Sequence, residues 1–197
     1  MPLGVIFVLL ISYESMKILY PLLCALMLGL IYPVRVQTFQ INDGTVDFKS
    51  EAPLEIIKAS STELKGLIDF TQGTFAFSIP IISFKGFNSA LQREHFNENY
   101  METERFPRAT FAGKMIEQVD IARDGEYAVR AKGKLTIHGV VQERIIPSTI
   151  TVKDGKISVR SSFSVLLVDH NIDIPKVVQH KIAETIFVEI KANGEKR

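Results

Sequence analysis

The stretch Tyr127–His138, YAVRAKGKLTIH, decides the fold because apolar and polar side chains alternate along its whole length. One face carries Tyr127, Val129, Ala131, Gly133, Leu135 and Ile137, and the opposite face carries mainly charged or polar residues. A period of two is typical of a β-strand with one face in a core and the other in water. The stretch therefore predicts a half-buried strand.

The same period recurs further along the chain. Alternating residues over 146–152 end at Asp154-Gly155, a dipeptide that favours a two-residue hairpin turn. The partner strand would run over 157–167, with Phe163 and Val165 on its apolar face, and residues 186–190 repeat the pattern. These segments predict antiparallel neighbours joined by tight connections.

Shorter segments of the same kind come first in the chain, at 44–50, 54–59, 66–70 and 73–79. With the later segments they make about eight strands at short spacing, which favours an antiparallel sandwich or barrel. A closed barrel is preferred because closure removes exposed strand edges. We therefore predict an all-β domain over residues 38–193, an antiparallel β-barrel of about eight strands.

Residues 86–106 break the alternation, since their apolar side chains are spaced too widely for a strand. Asn88 or Ser89 can cap a helix there, and Pro107 would end one. We predict a short helical insertion that covers one end of the barrel, because insertions of this length are commonly functional.

The first 36 residues differ in composition from the rest. Lys17 precedes an uncharged apolar stretch over 18–32, which has the length of a signal-peptide core and is short for a bilayer span. We expect residues 1–36 to form a signal helix that directs export to the periplasm or outside the cell, with Met16 as a second candidate start. A retained membrane anchor is the alternative.

Charge and cysteine content exclude several classes of function. Glu14, Lys17 and Arg35 are the only charged residues before position 37, so the rest of the chain is formally neutral. Nucleic-acid binding needs a surplus of basic residues, and we therefore expect no nucleic-acid partner. The only cysteine, Cys24, lies in the signal segment, which leaves the mature chain without a thiol nucleophile or a disulfide.

The histidines do not form a recognisable catalytic or metal site. His95 and Glu98 could share a helix face, but no third ligand follows at a suitable spacing. His138 ends the alternating strand and is expected to bond nearby backbone. No nucleophile elbow or phosphate-binding glycine loop is present in the sequence. We predict that the protein is not an enzyme and uses no metal or cofactor.

The apolar interior is the remaining candidate site. The chain has thirteen phenylalanines and no tryptophan, and many of them fall on inward positions or near the insertion. A barrel of about eight strands either is filled by its own side chains or holds one small ligand, and the pattern leaves both open. The candidate interior contacts are Phe75, Phe77, Ile79, Phe84, Phe87, Phe96, Tyr100, Phe111, Tyr127, Val129, Leu135, Phe163 and Val165.

Two motifs carry a resemblance to the YceI-like family. LQREHFNENYMETERFPRATFAGKM, residues 91–115, resembles the family segment in which a charged residue and a histidine precede aromatics and an FP-x-x-x-F signature, here Phe106, Pro107 and Phe111. GKLTIHGV, residues 133–140, is similar to the family's strand and turn. Where the family segment usually has aspartate, this chain has Glu94.

The resemblance implies a lipocalin-like barrel that binds an isoprenoid or another amphiphilic lipid in an apolar cavity. Arg93, His95 and Arg105 are then candidates for contacts with a polar head group, because the insertion should cover one barrel end. The alternative is that they pair with Glu94, Glu98 and Glu102. A filled barrel that serves as a structural or partner-binding protein remains the alternative function, and a homodimer remains open.

Overall fold

Eight antiparallel strands close into a barrel within residues 37–197, the part of the chain that the computed structural model describes. Each strand pairs with the next, and the last pairs with the first. The predicted fold class is thus confirmed, whereas the expected signal helix lies outside the described residues. The strands are β1 (Thr38–Glu51), β2 (Ile56–Asp69), β3 (Thr74–Pro80), β4 (Arg108–Met115), β5 (Gly125–Ile137), β6 (Val140–Lys153), β7 (Lys156–Leu166) and β8 (Thr185–Lys196).

The stretch that decided the fold forms β5, with Val129, Ala131 and Leu135 buried inside the barrel. Its hairpin to β6 turns at His138-Gly139, and the hairpin from β6 to β7 turns at Asp154-Gly155. Both residues of each turn have positive φ, 50° and 73° in the first and 51° and 72° in the second. Such angles match the right-handed twist of antiparallel strands, so these short turns set the register.

The segments 54–59 and 66–70, predicted as two strands, belong for the most part to one strand, β2. The pairing of β1 with β2 shifts register between Ile41 and Val46, and β2 buries Ser61 and then Leu64. A β-bulge of this kind inserts a residue into one strand and breaks the period of two. The prediction of two strands was wrong because the bulge looks like a strand break in the sequence.

The insertion contains one short helix, α1 (Ala90–His95), followed by a π-helical turn over Phe96–Tyr100. Ser89 caps α1 by accepting a hydrogen bond from the Gln92 amide at 3.1 Å, as its position before the helix predicts. In the described part of the chain, three 3₁₀ turns lie at Ile81–Ser83, Leu167–His170 and Lys176–Val178. No helix within residues 37–197 is both long and apolar enough to cross a membrane.

The two ends of the barrel differ. The connections over 70–73, 116–124 and 154–155 lie at one end, which we call the closed end. The connections over 52–55, 81–107, 138–139 and 167–184 lie at the other, which we call the open end. Buried apolar side chains fill the closed end, namely Phe39, Ile41, Ile68, Phe75, Val129, Ile150, Val152 and Ile157.

Candidate functional site

A cavity of about 530 Å³ occupies the barrel toward its open end. Ligand pockets typically measure about 300–1,000 Å³, so this volume suits a small molecule. Strands on all sides contribute aliphatic and aromatic walls, among them Leu64 of β2, Ile146 of β6 and Val188 of β8. Side chains therefore fill the barrel only at its closed end, and the interior toward the open end is hollow.

Most of the residues predicted to face the interior line this cavity. They come from β3, β4, β5 and β7 and from the connection between β3 and β4, and so meet across the barrel although they are far apart in sequence. They are Phe77, Ile79, Phe84, Phe87, Phe96, Tyr100, Phe111, Leu135, Phe163 and Val165.

Three predicted interior residues lie below the cavity instead. Phe75 and Val129 are buried in the packed closed end, where the Phe75 ring lies 4.9 Å from that of Phe111. The Tyr127 hydroxyl donates to the carbonyl oxygens of Asp120 at 2.9 Å and Arg123 at 3.0 Å. Alternation in a strand predicts which face a side chain occupies but not its height in the barrel.

An aromatic cluster joins the insertion to the barrel wall. Phe96 stacks on Phe48 of β1 with ring centroids 5.5 Å apart and an interplanar angle of 22°. Phe84 and Phe87 surround the same pair, and all four rings line the cavity. Phe48 was missing from the sequence prediction, although Val46, Phe48 and Ser50 alternate on the inward face of β1.

The connection from β7 to β8 supplies a second wall that sequence analysis missed. Leu167, Ile172, Val178 and Ile182 line the cavity from this segment. Their spacing follows neither strand nor helix periodicity, so only their apolar character within a polar stretch could have signalled a buried role.

Polar side chains gather at the mouth of the cavity, between α1 and the β7–β8 connection. Glu55, Ser89, Gln92, His95 and Lys181 all line this region. Glu55 accepts hydrogen bonds from Asn88 Nδ2 at 3.0 Å and from Gln92 Nε2 at 2.9 Å. The mouth thus combines a fixed carboxylate with histidine and lysine side chains.

Of the three head-group candidates, only His95 reaches the cavity. The Arg93 guanidinium donates to the Ile82 carbonyl at 3.2 Å. Arg105 pairs with Glu102 at 3.3 Å and lies over the Phe106 ring, 4.9 Å from its centroid. Arg105 therefore follows the alternative prediction, an ion pair with a glutamate of the insertion, whereas Arg93 donates a hydrogen bond to the backbone.

His138 joins three segments at the open end. Its Nε2 lies 2.9 Å from Glu102 Oε1, and its Nδ1 lies 3.1 Å from the carbonyl oxygen of His170. Hydrogen bonds from His138 and from Arg105 lower the pKa of Glu102 below its ordinary value. Burial raises the pKa of the cavity residue Tyr100 and lowers that of His170.

The barrel wall has a seam between β6 and β7. Backbone pairing of these strands ends at Ser148 and Ser161, and above this pair the described strands diverge. Side chains bridge the gap instead: Arg144 Nη2 donates to the Ser164 carbonyl at 2.8 Å, and Gln142 Nε2 donates to the Asp169 carbonyl at 2.7 Å. The Ser161 hydroxyl also donates to the Pro147 carbonyl at 2.8 Å, so side-chain hydrogen bonds join this part of the wall.

Among residues 37–197, no group of three or more histidine, cysteine, aspartate or glutamate side chains is placed to hold a metal ion.

Comparison with known proteins agrees with this architecture. The sequence model of the YceI-like domain matches residues 35–193. No curated protein matches the chain.

Several solved structures share the fold. A polyisoprenoid-binding domain of Saccharophagus degradans, implicated in plant cell wall breakdown, superposes with a TM-score of 0.69 at 16% identity, covering 83% of this chain and 100% of that domain. BcnA of Burkholderia cenocepacia gives 0.62 at 16% identity, covering 76% and 95%. A mutant YceI protein of Campylobacter jejuni gives 0.54 at 20% identity, covering 70% and 84%. At these identities the likeness concerns the fold.

Proposed function

Because the chain belongs to the YceI-like family, we propose that it binds an amphiphilic lipid of the isoprenoid class inside its barrel. The observation that carries this proposal is the apolar cavity of about 530 Å³ above a packed closed end. The Saccharophagus degradans domain of the same fold is described as polyisoprenoid-binding, which supports the choice of ligand class.

The physical basis of binding is burial of the tail. Removing apolar surface from water gains about 25 cal/mol per Å², so a long hydrocarbon tail binds strongly without many polar contacts. The cost of immobilising the ligand takes back part of this gain. The aromatic cluster of Phe48, Phe84, Phe87 and Phe96 would contact the tail near the mouth.

The polar head group would lie at the mouth, among Gln92, His95 and Lys181. Glu55 holds the Gln92 side chain there, so the amide is oriented before a ligand arrives. Few polar groups and a deep apolar space favour selection by tail length more than by head-group chemistry.

We further propose that the protein acts by binding and without catalysis, and that it works outside the cytoplasm. The two ring nitrogens of His138 lie within hydrogen-bond distance of Glu102 and of the His170 carbonyl oxygen, which supports a structural role for this histidine. The expectation of export comes from the uncharged apolar stretch over 18–32.

Two matched substitutions of alanine by phenylalanine test the lipid proposal. Ala131 lines the cavity, whereas Ala128 lies on the exposed face of the same strand. We expect protein purified from expressing cells to carry an extractable isoprenoid lipid. Ala131→Phe should carry about tenfold less lipid per protein, since a loss of about 1.4 kcal/mol of binding energy suffices for that factor.

Native mass spectrometry and solvent extraction measure the bound lipid, and circular dichroism checks that both variants fold. Ala128→Phe should retain the lipid of the unchanged protein. Apo masses alone for the unchanged protein, or equal lipid in the two variants, would contradict the proposal.

A further inference from the structure

Three strongly exposed apolar side chains surround the mouth of the cavity. Val177, Leu54 and Leu91 are exposed to 87%, 72% and 57%, and we call these three residues the rim. Single apolar residues on a surface are ordinary. A group of them at the entrance of an apolar cavity instead indicates an interaction surface.

Hydrogen bonds hold the segments that carry the rim. The Leu54 amide donates to the His180 carbonyl at 2.9 Å, which ties the β1–β2 connection to the segment of Val177. Gln92 Nε2 donates to Glu55 at 2.9 Å, which ties the same connection to α1. The rim is therefore fixed on three adjoining segments.

The rim is continuous with the wall of the cavity. Leu91 itself lines the cavity, and so do Glu55 and Val178, the neighbours of the other two rim residues. A molecule that contacts the rim therefore also contacts the entrance through which a ligand must pass.

The charged residue next to Val177 in the chain is a lysine, Lys176, and a second lysine, Lys181, follows. Lys176, His180 and Lys181 lie beside Val177 and are exposed, and the exposed acidic residues Asp173 and Glu184 bound this short segment. The chain after position 36 is formally neutral, so any attraction to anionic lipid is local to this segment. Lysines that flank exposed aliphatic residues are typical of segments that lie in a membrane interface.

We propose that the rim inserts into the surface of a phospholipid bilayer and places the cavity mouth against the layer from which the lipid enters. This inference rests on the proposed function, because a ligand with a long apolar tail resides in a bilayer. The rim side chains would enter the acyl boundary while Lys176 and Lys181 remain among the head groups. The tail then passes from bilayer to cavity without crossing water, which would oppose its transfer.

The absence of tryptophan from the sequence allows a direct test. Val177→Trp places a single tryptophan in the rim of the full chain, and Ile116→Trp places one at the closed end, where Ile116 is 45% exposed. Each variant is mixed with vesicles made of phosphatidylglycerol and of phosphatidylcholine whose acyl chains carry bromine. Selective excitation of tryptophan reports on that position alone, so attachment through another part of the chain does not imitate rim insertion.

We expect the emission of Val177→Trp to shift to shorter wavelength and to be quenched by the bromines, while Ile116→Trp changes little. Adding Leu54→Glu to Val177→Trp should lower the inserted fraction about tenfold, because a carboxylate resists leaving water. Adding Leu67→Glu, a matched change on the outer wall of β2, should have no effect. Quenching of Val177→Trp that does not exceed that of Ile116→Trp would overturn the proposal, and so would insertion that Leu54→Glu leaves unchanged.

Lipid content measured on the same preparations separates this inference from the proposed function. Co-purified lipid without insertion of the rim overturns the docking surface and leaves the binding function intact; that is also the result expected if a protein partner covers the rim. Insertion without co-purified lipid supports the docking surface and contradicts the binding function.

Discussion

His170 links the stability of the protein to pH at the scale of a single residue. Its side chain is fully buried, with 0% exposure, at the end of the 3₁₀ turn after β7. Burial lowers its pKa below the ordinary 6.5, although neighbouring backbone and the charge of Asp169 oppose the shift. Burial therefore favours the neutral form of this imidazole in the folded protein.

We expect the free energy of unfolding to fall as the pH drops through 6.5, the ordinary pKa of histidine. The unfolded chain then binds a proton that the folded chain does not, so acid favours unfolding until the lowered pKa of the folded state is reached. His170→Asn should flatten this slope, measured by urea denaturation above and below that pH.

His180→Gln, at an exposed position, serves as the control and should keep the slope of the unchanged protein. Glu102 affects stability in a separate pH range. Its pKa lies below the ordinary 4.5, so its contribution to the free energy of unfolding is lost only as the pH falls through that lowered pKa. An unchanged slope in His170→Asn would show that burial of this imidazole does not govern the effect.

At the scale of elements, the seam between β6 and β7 is a part of the barrel wall that side chains help to hold together. The backbone ladder between these strands stops at Ser148 and Ser161. Pro147, the next residue of β6 toward the open end, has no amide hydrogen to donate. Arg144 and Gln142 replace the missing backbone bonds with side-chain bonds. The wall beside the cavity thus depends on particular side chains.

Arg144→Ala should lower the free energy of unfolding by about 1.5–3 kcal/mol, the usual value for a hydrogen bond to a charged group. It should also speed amide hydrogen exchange in the part of β7 above Ser161. Chemical denaturation and hydrogen-exchange mass spectrometry measure the two effects.

Arg160→Ala is the matched control, because Arg160 lies on the exposed face of β7. It should change stability by less than about 0.5 kcal/mol, as exposed substitutions usually do. Equal effects of the two arginine substitutions would mean that the side chain of Arg144 does not hold the seam.

For the whole molecule, the proposed site of action depends on the apolar segment that precedes the barrel. Residues 18–32 have the length and composition of a signal-peptide core. The barrel itself begins at Thr38 and closes on β8 without using earlier residues in its described pairing. A chain that begins near Gln37 would therefore still contain every described strand of the barrel.

We expect the protein recovered from the extracytoplasmic fraction of expressing cells to begin near Gln37. Intact mass measurement of that fraction locates the first residue, and the cytoplasmic and membrane fractions serve as controls. Full-length chain confined to the membrane fraction would contradict cleavage and would instead support the retained anchor.

The sequence predicted the architecture well but the positions of the side chains around the cavity only in part. Inward positions such as Phe77, Leu135 and Phe163 were placed on the correct face by alternation alone. Phe75 and Val129 share that face but lie in the filled closed end. Arg93 and Arg105 lie on the predicted insertion, but its local folding turns them to Ile82 and Glu102.

The sequence by itself determined the all-β class, the hairpin at residues 154–155 and the position of the insertion, because each depends on neighbours along the chain. Only the tertiary structure decided that one end of the barrel is packed and the other hollow. A cavity is the volume left between walls from many strands and two long connections, and no local pattern encodes that difference. The mouth likewise exists because Leu54, Leu91 and Val177, far apart in sequence, are brought to one end by the closure of the barrel.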